Sequence, residues 1–333
     1  MKRLGNLIMT IAEHENLMIA VWRASRGKAD RHEVISFRSK LIAELDYLRQ
    51  HIVQGAMFKF EYRSFEVHDP KPRLIRVAPF RVRVLHHAII NVIGAVLEEK
   101  QFAHSYACLN GRGTHAALRY VRSTISANGW YLKMDVRKFF DSVTHEILLA
   151  QLIRVIKDQR VLSLLRDIIT SYETAHGCGL PIGNLTSQYL ANHYLTPLDN
   201  YIKQELKVKY YVRYMDDILI YNLDKDQLKL LRTSIISYAT NHLRLEFKVA
   251  QINAISRGIP FLGMRIFLDK MRLSAVGTRR FKKRWKTLNE LVATGRMSEQ
   301  EAAKRLNAVM AFALHAKTVA LRRKLMSYVA DHD

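Results

Sequence analysis

The sequence is poor in the residues that usually signal secretion or structural metal. It has 2 cysteines in 333 residues, Cys108 and Cys178. Neither sits in a C-x-x-C pair, which argues against a zinc ribbon or finger and against a disulfide scaffold. Two isolated cysteines in a chain of this length suit a reducing compartment. Proline is scarce too, at 6 residues, and no low-complexity tract or internal repeat interrupts the chain. No apolar run reaches the roughly 18 residues that a bilayer span requires, so the expectation is a chain with no membrane partner. Met1-Lys2-Arg3 is soon followed by Glu13, His14 and Glu15, which is not the pattern of a signal peptide.

Acidic residues are also in deficit. There are 30 Asp plus Glu against 53 Lys plus Arg, a net charge of +23. That imbalance points to a polyanionic partner, and without a membrane segment nucleic acid is the natural one. About half of the residues, 49%, are hydrophobic, enough to exclude disorder over most of the length.

Periodicity organises the chain. Residues 1–55 read as a helical N-terminal extension, with Ile35, Phe37, Leu41, Ile42, Leu45 and Leu48 near helical spacing. Alternation of Phe58, Phe60 and Tyr62 predicts a strand to about residue 67. Pro70 and Pro72 break the chain, and the run 71–76 reads as a basic loop. A helix is expected from Pro79 to about Lys100, a strand at 130–136, and helices at 144–156, 160–173 and 184–205. Residues 208–221 read as a hairpin, followed by a helix at 225–241 and strands within 244–267. After Lys270 the composition turns basic and helical, and Ser298-Glu299-Gln300-Glu301 has capping-box spacing.

Two acidic positions break strand-like apolar stretches. Asp135 closes Tyr131-Leu132-Lys133-Met134, and Asp216-Asp217 follows Tyr214-Met215. Adjacent carboxylates in apolar surroundings repel each other and lose hydration unless a cation compensates. That cation is either a basic side chain or Mg2+, which takes oxygen ligands from a few carboxylates together with substrate phosphates. An Asp-Asp pair is also ordinary turn chemistry.

Taken together and in order, these blocks resemble reverse transcriptases. Tyr214-Met215-Asp216-Asp217 resembles that family's catalytic box, and Asp135 to Asp141 its first catalytic block. Ser105 to Thr114 and Phe261-Leu262-Gly263 resemble two further blocks, the latter the primer grip. The resemblance covers roughly residues 58–330. It implies an α+β right-hand polymerase, with part of the fingers at 56–130, a palm with inserted fingers helices at 131–270, and a helical thumb at 271–333. It implies Asp135, Asp216 and Asp217 as catalytic residues that hold two Mg2+ ions, with the Val136 carbonyl completing the metal shell. It places Phe140 as a gate against the ribose 2′-hydroxyl and Arg73 and Arg76 at the triphosphate of the dNTP. The alternatives remain open: Phe140 as a core aromatic, and the two arginines as a solvated strand edge. Gly263 and the thumb cations Arg279, Arg280, Lys282, Lys283 and Lys286 are implied contacts for an RNA/DNA hybrid. Phe281 and Trp285, spaced i and i+4, would pack inward.

One block narrows the resemblance. Ile182-Gly183-Asn184-Leu185-Thr186-Ser187-Gln188 carries Ile182 and Gln188 where most of the family has Gln and Pro. This pairing is similar to the reverse transcriptases of diversity-generating retroelements. Those enzymes copy a template-repeat RNA with errors at adenine for mutagenic retrohoming. The resemblance implies a bacterial or phage-encoded cytoplasmic enzyme that works with template RNA and an accessory variability protein. Ile182 cannot hydrogen bond to a nascent base pair as Gln can, although isoleucine as plain packing is equally ordinary. Val82 departs from the Asp often found in the first block. The rival readings are another bacterial reverse transcriptase, of retron or defence type, and a catalytically silent RNA-binding scaffold.

Overall fold

A computed structural model describes residues 5–68 and 72–330. The chain is α+β and divides into two compact units. Unit 1 comprises residues 1–109, 135–208 and 233–249, and unit 2 comprises 110–134, 209–232 and 250–333.

Unit 1 opens with four helices, α1 (Leu7–Ala12), α2 (His14–Ser25), α3 (His32–Ser39) and α4 (Leu41–Gln54). Their inner faces follow helical spacing: Leu17, Ala20, Val21 and Ala24 in α2, and Leu45, Leu48 and Ile52 in α4, are buried. Gly55, with φ 67°, supplies the left-handed residue that ends α4. These helices pack on α5 (Phe80–Glu99), and Asn16 donates from Nδ2 to the carbonyls of Ile11 (2.9 Å) and Ala88 (3.1 Å). By length and composition α5 is apolar enough to cross a membrane, so the expectation that no such run exists is corrected. Two thirds of that stretch is buried, mainly under α2 and α10 (Leu185–Tyr194), which is the setting of a core helix.

Asp158 joins the N-terminal helices to the rest of the unit. It caps α9 (Gln159–Thr170) by accepting from Arg160 and Val161 N–H, and it accepts from Ile8 N–H in α1 at 3.0 Å. Burial raises its pKa, but these backbone donors outweigh it and hold the carboxyl below its usual range.

Lys71, the first residue of the basic run 71–76, lies outside the described residues, and the rest of that run is not a loop. Pro72–Val77 forms β2, antiparallel to β1 (Arg63–His68), with Arg63 opposite Val77 and His68 opposite Pro72. Pro72 opens its strand, a place where a missing N–H is tolerated. The strand expected from Phe58 begins only at Arg63, so the alternating Phe58, Phe60 and Tyr62 precede it, and every residue of β1 itself is exposed. The helix expected over 184–205 is also broken. After α10 come α11 (Thr196–Asn200), with Pro197 in its first turn, and a π-helical turn at Tyr201–Glu205. There the N–H of Leu206 reaches the carbonyl of Tyr201, whose ring stacks on Tyr238 at 4.1 Å.

Unit 2 holds a four-stranded sheet in the order β4-β5-β3-β6. Its members are β3 (Trp130–Asp135), β4 (Tyr210–Tyr214), β5 (Asp217–Asn222) and β6 (Gln251–Ala254). The last residue of β3, Asp135, is the first of the next segment of unit 1. A smaller sheet, β7 (Ile259–Phe261), β8 (Met264–Ile266) and β9 (Met271–Leu273), precedes three helices. These are α13 (Ala275–Ala293), α14 (Glu299–Ala313) and α15 (Val319–Ala330). Their core is Phe281, Trp285 and Ala313 with Leu306, Val309, Met310, Leu321 and Leu325 around them. The Ser298 hydroxyl accepts from Glu301 N–H at 3.3 Å, as the capping-box spacing predicts.

Candidate active site

The Asp216-Asp217 pair sits on a turn that the strands dictate. In β4, Tyr211 and Val212 are buried, and in β5, Ile218, Leu219, Ile220 and Tyr221 are buried. Tyr214 pairs with Asp217, which leaves Met215-Asp216 as a two-residue loop. Met215 has φ 55°. A tight hairpin needs positive φ at the first turn position to match strand twist, and glycine normally provides it. A non-glycine residue held there is the kind of local strain that clusters at functional turns.

Neighbours fix the turn in place. Arg213, fully buried in β4, donates from Nη1 to the Met215 carbonyl at 3.0 Å. The rings of Tyr210 and Tyr221 stack across the hairpin at 5.1 Å, and the Thr114 hydroxyl donates to the Tyr214 hydroxyl at 3.2 Å. On β3, Lys133 places Nζ 3.3 Å from Asp217 Oδ2, with both side chains about one-fifth exposed.

Asp135 lies at the end of β3, and its surroundings in unit 1 are equally ordered. Lys248 N–H donates to the Asp135 carbonyl at 2.9 Å, and its ammonium is paired with the Asp135 carboxylate. Val136 is fully buried and bridges Phe247, and Arg137 N–H reaches the Glu246 carbonyl at 2.7 Å. Lys138, with φ 46°, turns the chain into α7 (Phe139–Ser142). Phe139 then enters the core, whereas Phe140 stays half-buried and meets its neighbour edge-on at 5.7 Å. Of the two rings, Phe139 is the core one and Phe140 is partly exposed.

A backbone relay ties Phe140 to Ile182 and Arg76 within unit 1. Leu180 N–H donates to the Phe140 carbonyl at 2.8 Å. Two residues on, the Ile182 carbonyl accepts from Arg76 N–H at 2.8 Å. Asn184 Nδ2 then reaches the Arg76 carbonyl at 3.2 Å. Gly183 makes this approach possible: at φ 114°, a Cβ there would lie 2.9 Å from Ile75 Cγ2 and 3.2 Å from the Arg76 carbonyl oxygen. Ile182 is half-exposed, not sealed in the core. The Arg76 guanidinium lies 5.4 Å over the Tyr172 ring and contacts the Ser64 hydroxyl, while Arg73 is exposed. Gln188 is half-buried and accepts from the Cys108 thiol at 3.5 Å.

In unit 2, Leu262 (φ 48°) and Gly263 (φ 80°) form the β7–β8 turn, and the Gly263 carbonyl accepts from Ser274 N–H at 2.9 Å. On α13, Arg279, Lys282, Lys283 and Lys286 are exposed and Arg280 is half-buried. Phe281 and Trp285 are buried, so the aromatics face the core and most of the cations face outward. Lys286 is 3.7 Å from Glu290.

The donor set bears on magnesium. Among the described residues no three or more His, Cys, Asp or Glu side chains converge as a metal site. Magnesium needs fewer, since one or two carboxylates suffice when substrate phosphates supply the rest. Adjacent Asp216 and Asp217 in unit 2 are hard-oxygen donors of that type, and Asp135 in unit 1 is another. Asp135 and Asp217 each carry a lysine partner. Sequence reasoning overlooked Lys133 and Arg213. The signals were a lysine two residues before Asp135 on the same strand face, and an arginine inside an apolar strand.

A profile of the family described as reverse transcriptase (RNA-dependent DNA polymerase) matches residues 67–266, more than half of the chain. The chain is 24% identical over 309 residues to the protein YkfC of Escherichia coli, covering 79% of this chain and 81% of that protein. It is 24% identical over 162 residues to a putative COX1/OXI3 intron 1 protein of Saccharomyces cerevisiae, covering 45% of this chain and 19% of that protein. This chain therefore spans only about a fifth of the intron protein's length. A solved Candida albicans telomerase, in complex with a TWJ fragment of telomeric RNA, aligns at TM-score 0.49 and 12% identity. That alignment covers 68% of this chain and 50% of the telomerase chain.

Proposed function

The chain belongs to the reverse transcriptase family, and from that premise we propose that it is an active RNA-directed DNA polymerase. The observation that carries the proposal is the hairpin turn. Met215 sits at positive φ, the buried Arg213 donates to its carbonyl, and Asp216 and Asp217 stand at the start of β5. In this reading Asp135, Asp216 and Asp217 hold two Mg2+ ions, with the Val136 carbonyl beside them. The chemistry those ions supply is activation of the primer 3′-hydroxyl and neutralisation of the leaving pyrophosphate. The protein's part is positioning. Phe140 meets the sugar of the dNTP, Arg73 and Arg76 meet its triphosphate, and the α13 cations with Gly263 follow the RNA/DNA hybrid.

The finer proposal is that the enzyme is of the diversity-generating retroelement type, copying a template-repeat RNA with errors at adenine alongside an accessory variability protein. Ile182 and Gln188 support it. Ile182 is half-exposed and anchored to β2 through its carbonyl, so its apolar side chain stands where a glutamine would offer hydrogen bonds. The intron-encoded relative favours a second reading, an intron-type reverse transcriptase. In that case the two substitutions are packing changes.

The test is primer extension on RNA with Mg2+ and dNTPs, followed by sequencing. Asp216→Asn should abolish product, and Ile182→Gln should lower errors at template adenines. Faithful wild-type copying keeps the polymerase but favours the second reading. Absence of product, even with cognate RNA and accessory protein, leaves the RNA-binding scaffold.

A further inference from the structure

We infer that Lys133 is a built-in counterion that competes with divalent metal for Asp217, so that the site binds metal weakly until a nucleotide brings its phosphates. The inference rests on the reading that the aspartates hold metal.

Lys133 and Asp135 are two residues apart on β3 and so stand on one face of the sheet. The Lys133 ammonium lies 3.3 Å from Asp217 Oδ2 on the neighbouring strand. The pair is about four-fifths shielded on each side, so water screens it far less than a surface ion pair. Asp217 follows Asp216 in sequence, so two acidic side chains share one turn, and a cation beside either offsets their charge. Lys133 supplies that cation from the sheet itself. The buried Arg213, reaching the Met215 carbonyl, adds a second positive charge beneath the same turn. The hairpin therefore carries a cation beside Asp217 before any metal arrives.

The same arrangement handicaps free metal. A divalent ion approaching Asp217 meets an ammonium already holding one of its oxygens, within the range where charges interact strongly in a partly buried site. Triphosphate oxygens change that balance, because they add ligands and negative charge together. Lys133 is thus a positioning residue that makes metal entry depend on nucleotide.

The test is Mn2+ binding to the full chain, read from the electron paramagnetic resonance signal of free Mn2+, with and without a non-hydrolysable dNTP. Lys133→Met should bind Mn2+ more tightly than wild type without nucleotide, on the order of tenfold, and should show a smaller gain on adding nucleotide. Lys133→Arg, which keeps the charge, should stay close to wild type. In an Asp217→Asn background, Lys133→Met should change nothing further. Lys133→Gln serves as a second neutral variant if the methionine protein does not fold. Unchanged or weaker Mn2+ binding in both neutral variants would overturn the inference, as would an arginine variant that behaves like them. If Asp216→Asn and Asp217→Asn bind Mn2+ as wild type does, the metal reading itself has failed instead.

Discussion

Gly183→Ala isolates the contact that brings the Ile182 block to β2. Two costs act there. The backbone sits at φ 114°, where an L residue is strained by roughly 1–3 kcal/mol. The new Cβ would also lie 2.9 Å from Ile75 Cγ2 and 3.2 Å from the Arg76 carbonyl oxygen. That oxygen is fixed in the β1–β2 hairpin and accepts from Asn184, so overpacking adds roughly another 1–3 kcal/mol. Gly177→Ala is the matched control. Its φ is 68° with nothing within 4 Å, so it carries only the left-handed cost of about 1–2 kcal/mol. Thermal melts of the two variants should differ by several degrees, since each kcal/mol moves a domain of this size by roughly 2–4 °C. Shifting Ile182 against Arg76 should also raise the KM for dNTPs in Gly183→Ala alone. Equal melting temperatures and equal KM values for the two variants would refute the reasoning that close backbone approach, not glycine freedom as such, defines this position.

Three further outcomes follow from the same geometry. Phe140→Ala should relax discrimination against ribonucleotides by roughly tenfold or more, measured as the ratio of kcat/KM for dNTP and rNTP; an unchanged ratio would return Phe140 to a packing role. Lys282→Gln with Lys283→Gln should lower the salt dependence of hybrid binding by a slope of about 2, one for each exposed cation lost; an unchanged slope would remove this face of α13 from the interface. Burial holds His86 at about 3 and His193 at about 4, both below the ordinary histidine value. Such groups take up protons in the unfolded chain first, so their stability contribution is complete above about pH 6.5 and is lost as pH falls toward 4. Each should contribute about 2 kcal/mol of destabilisation between pH 7 and 5. Urea melts of His86→Gln across that range should show a shallower pH slope, and the same slope as wild type would count against the buried neutral imidazole.

What the sequence made legible, and what it hid, divides along one physical line. Elements with an apolar face announced themselves. The α5 stripe, the β4–β5 hairpin and β3 all fall close to their predicted bounds, because burial imposes a period on the residues that achieve it. The second strand of the β1–β2 hairpin did not: β1 lies at the end of a strand expected to about residue 67, but β2 falls in a run expected as a loop, and both strands bury little. The π turn at 201–205 was hidden for a related reason: it departs from an α-helix by one residue of hydrogen-bond register and leaves composition unchanged. The same division runs through the site. Asp135, Asp216 and Asp217 stood out because a carboxylate in an apolar strand demands explanation. Lys133 and Arg213 answer that demand, but in a chain carrying 53 basic residues a lysine or arginine draws no notice on composition. Only their placement singles them out: one is fully buried beneath the turn, and the other lies 3.3 Å from the carboxylate it offsets. In a strongly basic protein, then, the cations that matter to an acidic site are singled out by their partners and their burial, and burial is the property that one sequence read alone reports least well for charged side chains.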